Sequence, residues 1–143
     1  MDTRAMEIMN ERFGKDTELP LATMDGERPA VRIVDAYYED GCFYAITHAL
    51  SGKMKQIAQN PAVAVCGEWF TGRGIGENLG WLCDEKNKAV FEKLKTAFAS
   101  WYGNGHINEE DHNTIILCVR LTEGLLLSHG TRYELDFTEQ TDK

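Results

Sequence analysis

Apolar positions along the chain change their period several times, and each change marks an element. Near the start, Met6, Met9 and Phe13 fall at i, i+3 and i+7 with Ala5 beside them, the spacing of one helical face. This predicts a helix over residues 4–13, capped by Asp2 or Thr3 and ended at Gly14. Leu19–Met24 is a short apolar segment that runs into the turn dipeptide Asp25-Gly26. Pro29–Tyr38 is β-branched and aromatic, ends at Glu39-Asp40-Gly41, and leads into a strand over Cys42–Thr47. Two strands joined by an acidic glycine turn predict a hairpin.

Helical spacing returns between Ser51 and Asn60, with Met54, Ile57 and Ala58 on one side. Ser51 stands where a cap belongs, and Asn60-Pro61 stops the helix. Ala62–Phe70 reads as strand, and Thr71–Gly80, with its four glycines, as a loop. From Asp84 to Tyr102 one stripe (Val90, Phe91, Leu94, Ala97, Phe98, Trp101) opposes lysines and glutamates and predicts a single long helix. After Gly103-Asn104-Gly105 an acidic loop continues to Asp111, and strands are expected over Thr114–Leu121, Leu125–His129 and Tyr133–Phe137. Six or seven strands, hairpin turns and three helices, without a repeated βαβ unit, give an α+β class with an antiparallel sheet curled into a barrel.

At 143 residues the chain is expected to be one domain over 1–143, long enough to bury its own core. The formal net charge of −8 argues against a broad nucleic-acid face and against docking on anionic lipid. No apolar run approaches the length that spans a bilayer, and Met1–Lys15 holds no secretory apolar core. Cys42, Cys66, Cys83 and Cys118 lie far apart without CxxC or metal-type spacing, which fits reduced thiols and a cytoplasmic location.

The chemistry concentrates where the second helix opens with Ser51-Gly52-Lys53. A first helical turn presents unpaired N–H groups and the positive end of a dipole. Ser51 adds a hydroxyl, Gly52 permits close approach, and Lys53 supplies a point charge. Arg32 on a neighbouring strand could fork onto the same anion, and Thr47 ends the strand before the helix. Together these parts suit a phosphate monoester. Singly, they are also what a cap, a solvated lysine and a strand-surface cation look like.

The order of residues from Leu21-Ala22-Thr23 through Gly26, Pro29, Arg32-Ile33-Val34, Tyr44, Thr47, Ser51-Gly52-Lys53 and Ile57 to Asn60-Pro61-Ala62-Val63-Ala64 resembles the FMN-binding split-barrel family. That family includes pyridoxamine 5′-phosphate oxidase and the nitroimidazole-reductase-like proteins, and the match covers about a third of the chain. The resemblance implies an antiparallel split β-barrel with flanking helices. It implies that Arg32, Ser51 and Lys53 hold the FMN phosphate, and that Thr47 and the backbone of Arg32, Ile33 and Val34 contact the ribityl chain and ring. It also implies a homodimer with the flavin at the interface. His48 falls at the rim of such a pocket, as a candidate for proton transfer or haem ligation. Two departures stand out. The arginine that precedes the lysine in the family is Gly52 here, so Lys55 or Arg32 would have to compensate. The oxidase's C-terminal arginine–histidine signature is absent, which argues against oxidation of the vitamin B6 phosphates.

Other motifs are weaker. Gly72, Gly74, Gly76 and Gly80 do not fit GxGxxG, and Gly52-Lys53 is followed by Met54, so it is no Walker loop. His106, Glu109, Glu110, Asp111 and His112 lack the helical spacing that fixes two histidines on one metal, and no metal is expected. Trp69, Trp81 and Trp101 are expected in core or interface. His129 ends a strand, and Arg132 is a candidate for a partner subunit's flavin. The expected function is an FMN-dependent oxidoreductase that reduces a small electrophile, a nitro compound or a quinone, with NAD(P)H. Two rival classes are a non-catalytic protein that stores flavin or haem or senses redox state, and a cofactor-free barrel that serves association. The joint presence of Arg32, Thr47, Ser51 and Lys53 counts against the last.

Overall fold

The computed structural model describes residues 1–138. Its elements run α1 (Thr3–Phe13), β1 (Thr17–Asp25), β2 (Arg28–Glu39), β3 (Cys42–His48), α2 (Gly52–Gln59), β4 (Ala62–Gly67), β5 (Phe70–Trp81), a 3-10 turn (Glu85–Asn87), α3 (Lys88–Ala97), α4 (Ala99–Tyr102), β6 (Thr114–Ser128) and β7 (Thr131–Asp136). The strands pair antiparallel in the order β3-β2-β1-β4-β5-β6-β7, and β3 also pairs with β6. That last pairing closes β1–β6 into a six-stranded barrel, with β7 outside the ring on the second half of β6. The α+β antiparallel barrel with flanking helices is the architecture that the sequence predicts.

The first hairpins follow from their turns. Gly26-Glu27 and Asp40-Gly41 join the strands, and Gly26, Asp40 and Gly41 adopt positive φ, as two-residue hairpin turns require. At α1 the Asp2 carboxylate accepts from the Ala5 N–H at 3.0 Å, so the cap is the one expected. Ala5, Ile8, Met9 and Phe13 of α1 enter the main core, where the Phe13 ring meets Phe43 and Phe70. Met54 and Ile57 of α2 enter the same core further along the barrel. A second apolar layer lies outside the barrel: Leu82, Phe91, Leu94 and Phe98 pack on Ile116, with Tyr37, Tyr44 and Ile46 beneath them.

Three sequence expectations need correction. Thr71–Gly80 is not a loop but most of β5, paired with both β4 and β6. Its glycines hide a period-two pattern: Gly72, Gly74 and Gly76 are buried while Thr71, Arg73 and Ile75 are exposed. A Cβ at Gly72 would stand 2.8 Å from the Phe70 ring, and one at Gly74 would stand 2.3 Å from the Arg120 carbonyl oxygen. These glycines leave room for large neighbours in a strand. Second, the two strands expected over 114–129 are one fifteen-residue strand, β6. It pairs with β3 along Thr114–Arg120 and with β7 along Glu123–Ser128. Third, the long helix over 84–102 is broken at Phe98, which leaves helical geometry (φ −95°, ψ 15°) and separates α3 from α4. The apolar stripe is continuous across that break, so periodicity does not reveal it.

Candidate functional site

Strand β1, strand β2 and helix α2 bring the anchor residues together at one end of the barrel. Residues 30, 32, 34, 36 and 38 of β2 face inward and are less exposed than Val31, Ile33 and Asp35. Arg32 therefore reaches inward along the sheet, toward α2. Its Nη1 donates to the Thr23 hydroxyl at 2.8 Å and to the Leu21 carbonyl at 3.1 Å, and its Nη2 donates to Gln56 Oε1 at 2.9 Å. The Thr23 hydroxyl in turn donates to Gln56 Oε1 at 2.6 Å. Lys53, one residue past the start of α2, donates from Nζ to the Thr47 hydroxyl at 2.8 Å. The two cations are near enough that the Arg32 charge adds to burial in lowering the Lys53 pKa. Burial also lowers the Arg32 pKa, which leaves a guanidinium charged all the same. Among the described residues neither cation meets a carboxylate; every acceptor is neutral.

Ser51 occupies the cap position of α2, but its side chain makes no capping bond. This corrects the expectation that it caps the helix. Its Oγ is buried and has no hydrogen-bond partner among the described residues, a placement that costs about 1–3 kcal/mol for a buried hydroxyl. Next to it, a Cβ added at Gly52 would meet nothing within 4 Å. An unsatisfied hydroxyl, two cations on neutral acceptors and open space at a helix N-terminus fit a terminal phosphate. The residues present thus fit the phosphate end of an FMN, which Arg32, Ser51 and Lys53 would hold directly, with Thr47 placed through Lys53.

The remaining sequence candidates lie elsewhere. Val34 packs against the main core. Ile33 points out of the barrel and is 65% exposed, beside Val31 at 69%. His48 is held by its own neighbours: one ring nitrogen lies 3.0 Å from Asp111 Oδ2 and the other accepts from the Leu50 N–H. Lys55, the proposed compensator for Gly52, is exposed. His112 stacks on Trp81 at 3.7 Å, and Trp101 donates to Asp16. Trp69 is outside the core, 73% exposed on the β4–β5 turn. His129 sits on the β6–β7 turn at positive φ, and Arg132 faces Glu134 on β7. The residues that sequence reasoning missed are Gln56 and the structural use of Thr23. Their only signal was an uncharged polar residue at the edge of the apolar face of α2.

On the outside of the barrel, Pro20, Ala22, Val31, Ala64, Thr71, Arg73 and Arg132 line a cleft of about 680 Å³. No helix among the described residues is long and apolar enough to cross a membrane.

No family model and no curated protein sequence matches the chain. Solved structures do match. General Stress Protein 26 from Bacillus anthracis str. Sterne superposes with a TM-score of 0.70 at 16% identity, over 93% of this chain and 100% of that one. An FAD-binding protein from Mesorhizobium loti gives 0.66 at 14% identity, over 87% and 92%. A NimC/NimA family protein from Clostridium acetobutylicum gives 0.62 at 22% identity, over 92% and 94%. At these identities the likeness is one of fold, and that fold is the split barrel that the Leu21–Ala64 pattern leads one to expect.

Proposed function

We propose that the protein binds FMN by its phosphate at the Arg32–Ser51–Lys53 anchor and works as a flavin-dependent oxidoreductase. Among the described residues, the buried Ser51 hydroxyl has no partner and the two cations meet only neutral acceptors, and this carries the reading. The motif order in the sequence and the fold shared with an FAD-binding protein support it. Flavin supplies the hydride or electron transfer when bound. The chain's own residues hold the phosphate, fix the cofactor's register along β2 and exclude water from the α2 end of the barrel. This reading asks for no nucleophile or acid–base pair from the chain, because the cofactor would carry the reaction. The substrate class is a small electrophile, a nitro compound or a quinone, with NAD(P)H as the donor.

We further infer a homodimer with the flavin at the interface. Val31, Ile33 and Ile75, at 69%, 65% and 39% exposure, form with Pro20, Ala22 and Ala64 an apolar outer face. A face of this kind is what an obligate partner covers. The four unbridged cysteines fit a cytoplasmic location. The visible spectrum of the purified protein and its anaerobic titration with NADH or NADPH test the whole reading. A two-banded flavin spectrum that bleaches is expected. A flavin spectrum that resists both nucleotides leaves a binding protein, and a haem band or no flavin uptake sinks the assignment.

A further inference from the structure

We propose that Gln56 is the positioning residue of the anchor: its amide oxygen aims Arg32 at the ligand without spending the arginine's charge. The inference rests on the phosphate reading above. A guanidinium has five N–H donors in a fixed fork. Here Nη1 uses its pair on Thr23 Oγ1 and the Leu21 carbonyl, and Nη2 gives one N–H to Gln56 Oε1. The Thr23–Gln56 bond at 2.6 Å closes this group into a ring of hydrogen bonds, and Thr23 is only 2% exposed. Among the described residues the Nε–H and the second Nη2–H have no acceptor. Those two donors lie on one edge of the planar group and form the fork that takes a phosphate with two parallel bonds.

The identity of the acceptor matters as much as its place. A glutamate has the same length and shape and would accept the same hydrogen bonds. It would also pair with Arg32 inside a partly buried site and cancel one of the two charges that attract the phosphate. The elsewhere common solution, an arginine held by a carboxylate, is used at Arg12 with Glu68 and at Arg120 with Glu77. At the anchor an amide, a hydroxyl and a carbonyl do the holding instead. Gln56 thereby separates two tasks, orientation and neutralisation, that a carboxylate would join.

The test uses the full chain, freed of flavin, titrated with FMN and with riboflavin, which lacks the phosphate. Gln56→Glu is expected to weaken FMN binding at least tenfold and to leave riboflavin binding within about twofold. Gln56→Met keeps the length, removes the acceptor and keeps the charge of Arg32; it is expected to weaken FMN three- to tenfold, again without effect on riboflavin. The FMN-to-riboflavin ratio is the reading that a merely structural role would not move, because damage to the fold lowers both affinities together. Parallel loss of both ligands in the two variants would therefore overturn the proposal. So would a parent-like ratio in both variants when Arg32→Ala is still defective for FMN. A parent-like ratio in Arg32→Ala as well would instead overturn the phosphate anchor itself. If Gln56→Glu does not fold, Gln56→Met alone decides between these outcomes.

Discussion

Two partly buried arginines of this protein are held in opposite ways. Arg12, in the last turn of α1, lies 3.5 Å from the Glu68 carboxylate and donates to the Glu68 carbonyl at 2.8 Å. Arg32, on β2, makes three hydrogen bonds and meets no carboxylate among the described residues. The first arrangement is complete: charge, counter-charge and hydrogen bonds are all local, and it ties α1 to the β4–β5 turn. The second is oriented but keeps its charge, and Lys53, on Thr47, is treated in the same way. Holding two like charges near each other without a counter-ion destabilises a fold. A protein tolerates this where an anion is to complete the site, and the buried Ser51 hydroxyl points to the same conclusion.

The contrast breaks most visibly on removal of the cations. Lys53→Ala and Arg32→Ala are each expected to weaken FMN binding ten- to a hundredfold, because a charge-assisted hydrogen bond contributes about 1.5–3 kcal/mol. Riboflavin binding should hold in both. Arg12→Ala should do the reverse: lower the melting temperature and leave the FMN-to-riboflavin ratio unchanged. Isothermal titration with both ligands and thermal unfolding of all three variants check the set.

A smaller effect sharpens the comparison by adding charge. Gly52 is at the open start of α2, where a Cβ meets nothing within 4 Å and φ is not positive. Gly52→Arg should therefore fold normally and tighten FMN roughly three- to tenfold, through the dipole end and one further charge-assisted contact. Riboflavin titration of the same variant should show no gain.

Ser51→Ala separates a ligand contact from a helix cap. Loss of a working cap costs typically about 1 kcal/mol. Here the hydroxyl makes no capping bond and is buried without a partner among the described residues, so the flavin-free variant should be as stable as the parent or up to about 1 kcal/mol more stable. FMN binding should weaken by about three- to tenfold. Chemical denaturation without flavin reads the first, and titration reads the second.

The smallest effect is in pH. Burial and the Arg32 charge lower the Lys53 pKa in the free protein, and a phosphate dianion beside it would raise that pKa again. Below the free-state value the ammonium is charged with or without ligand, and its contribution is full. As the pH rises through that value the free protein loses the proton, binding must take it up again, and affinity falls by at most tenfold per pH unit. The FMN-to-riboflavin ratio should show this fall on the alkaline side, and Lys53→Ala should abolish it.

Much of this was legible in the sequence, and the illegible parts share a cause. Hairpins β1–β2 and β2–β3 were readable because Gly26 and Asp40-Gly41 mark their turns and β2 between them is β-branched and aromatic. Helix α1 was readable because Asp2 and the Met6–Met9–Phe13 spacing agree. Strand β5 was not, because its inward positions are Gly72, Gly74 and Gly76, which carry no hydrophobic signal although they are buried; their reason lies in Phe70, the Arg120 carbonyl and Ile57. The unity of β6 was hidden by Thr122-Glu123-Gly124, which mimics a break; Glu123 and Gly124 pair with both β5 and β7, while Thr122 sits at a register shift in the β5 pairing. At the proposed anchor, the order of Arg32, Thr47, Ser51 and Lys53 in the sequence singled them out. The neutrality of their surroundings was not readable, because Thr23 and Gln56 meet Arg32 only once β1 and α2 are packed. The contact of His48 with Asp111 could not be read either, because it joins residues 63 apart in the chain.

If the α2 end of the barrel is a phosphate anchor, the phosphate alone should set the affinity difference between two flavins. The direct measurement is titration of the flavin-free parent protein with FMN and with riboflavin at low and at physiological salt. The account predicts that FMN binds at least about a hundredfold more tightly, the product of two charge-assisted contacts at roughly tenfold each, and that salt weakens FMN but not riboflavin. Equal affinities for the two flavins, insensitive to salt, would contradict it.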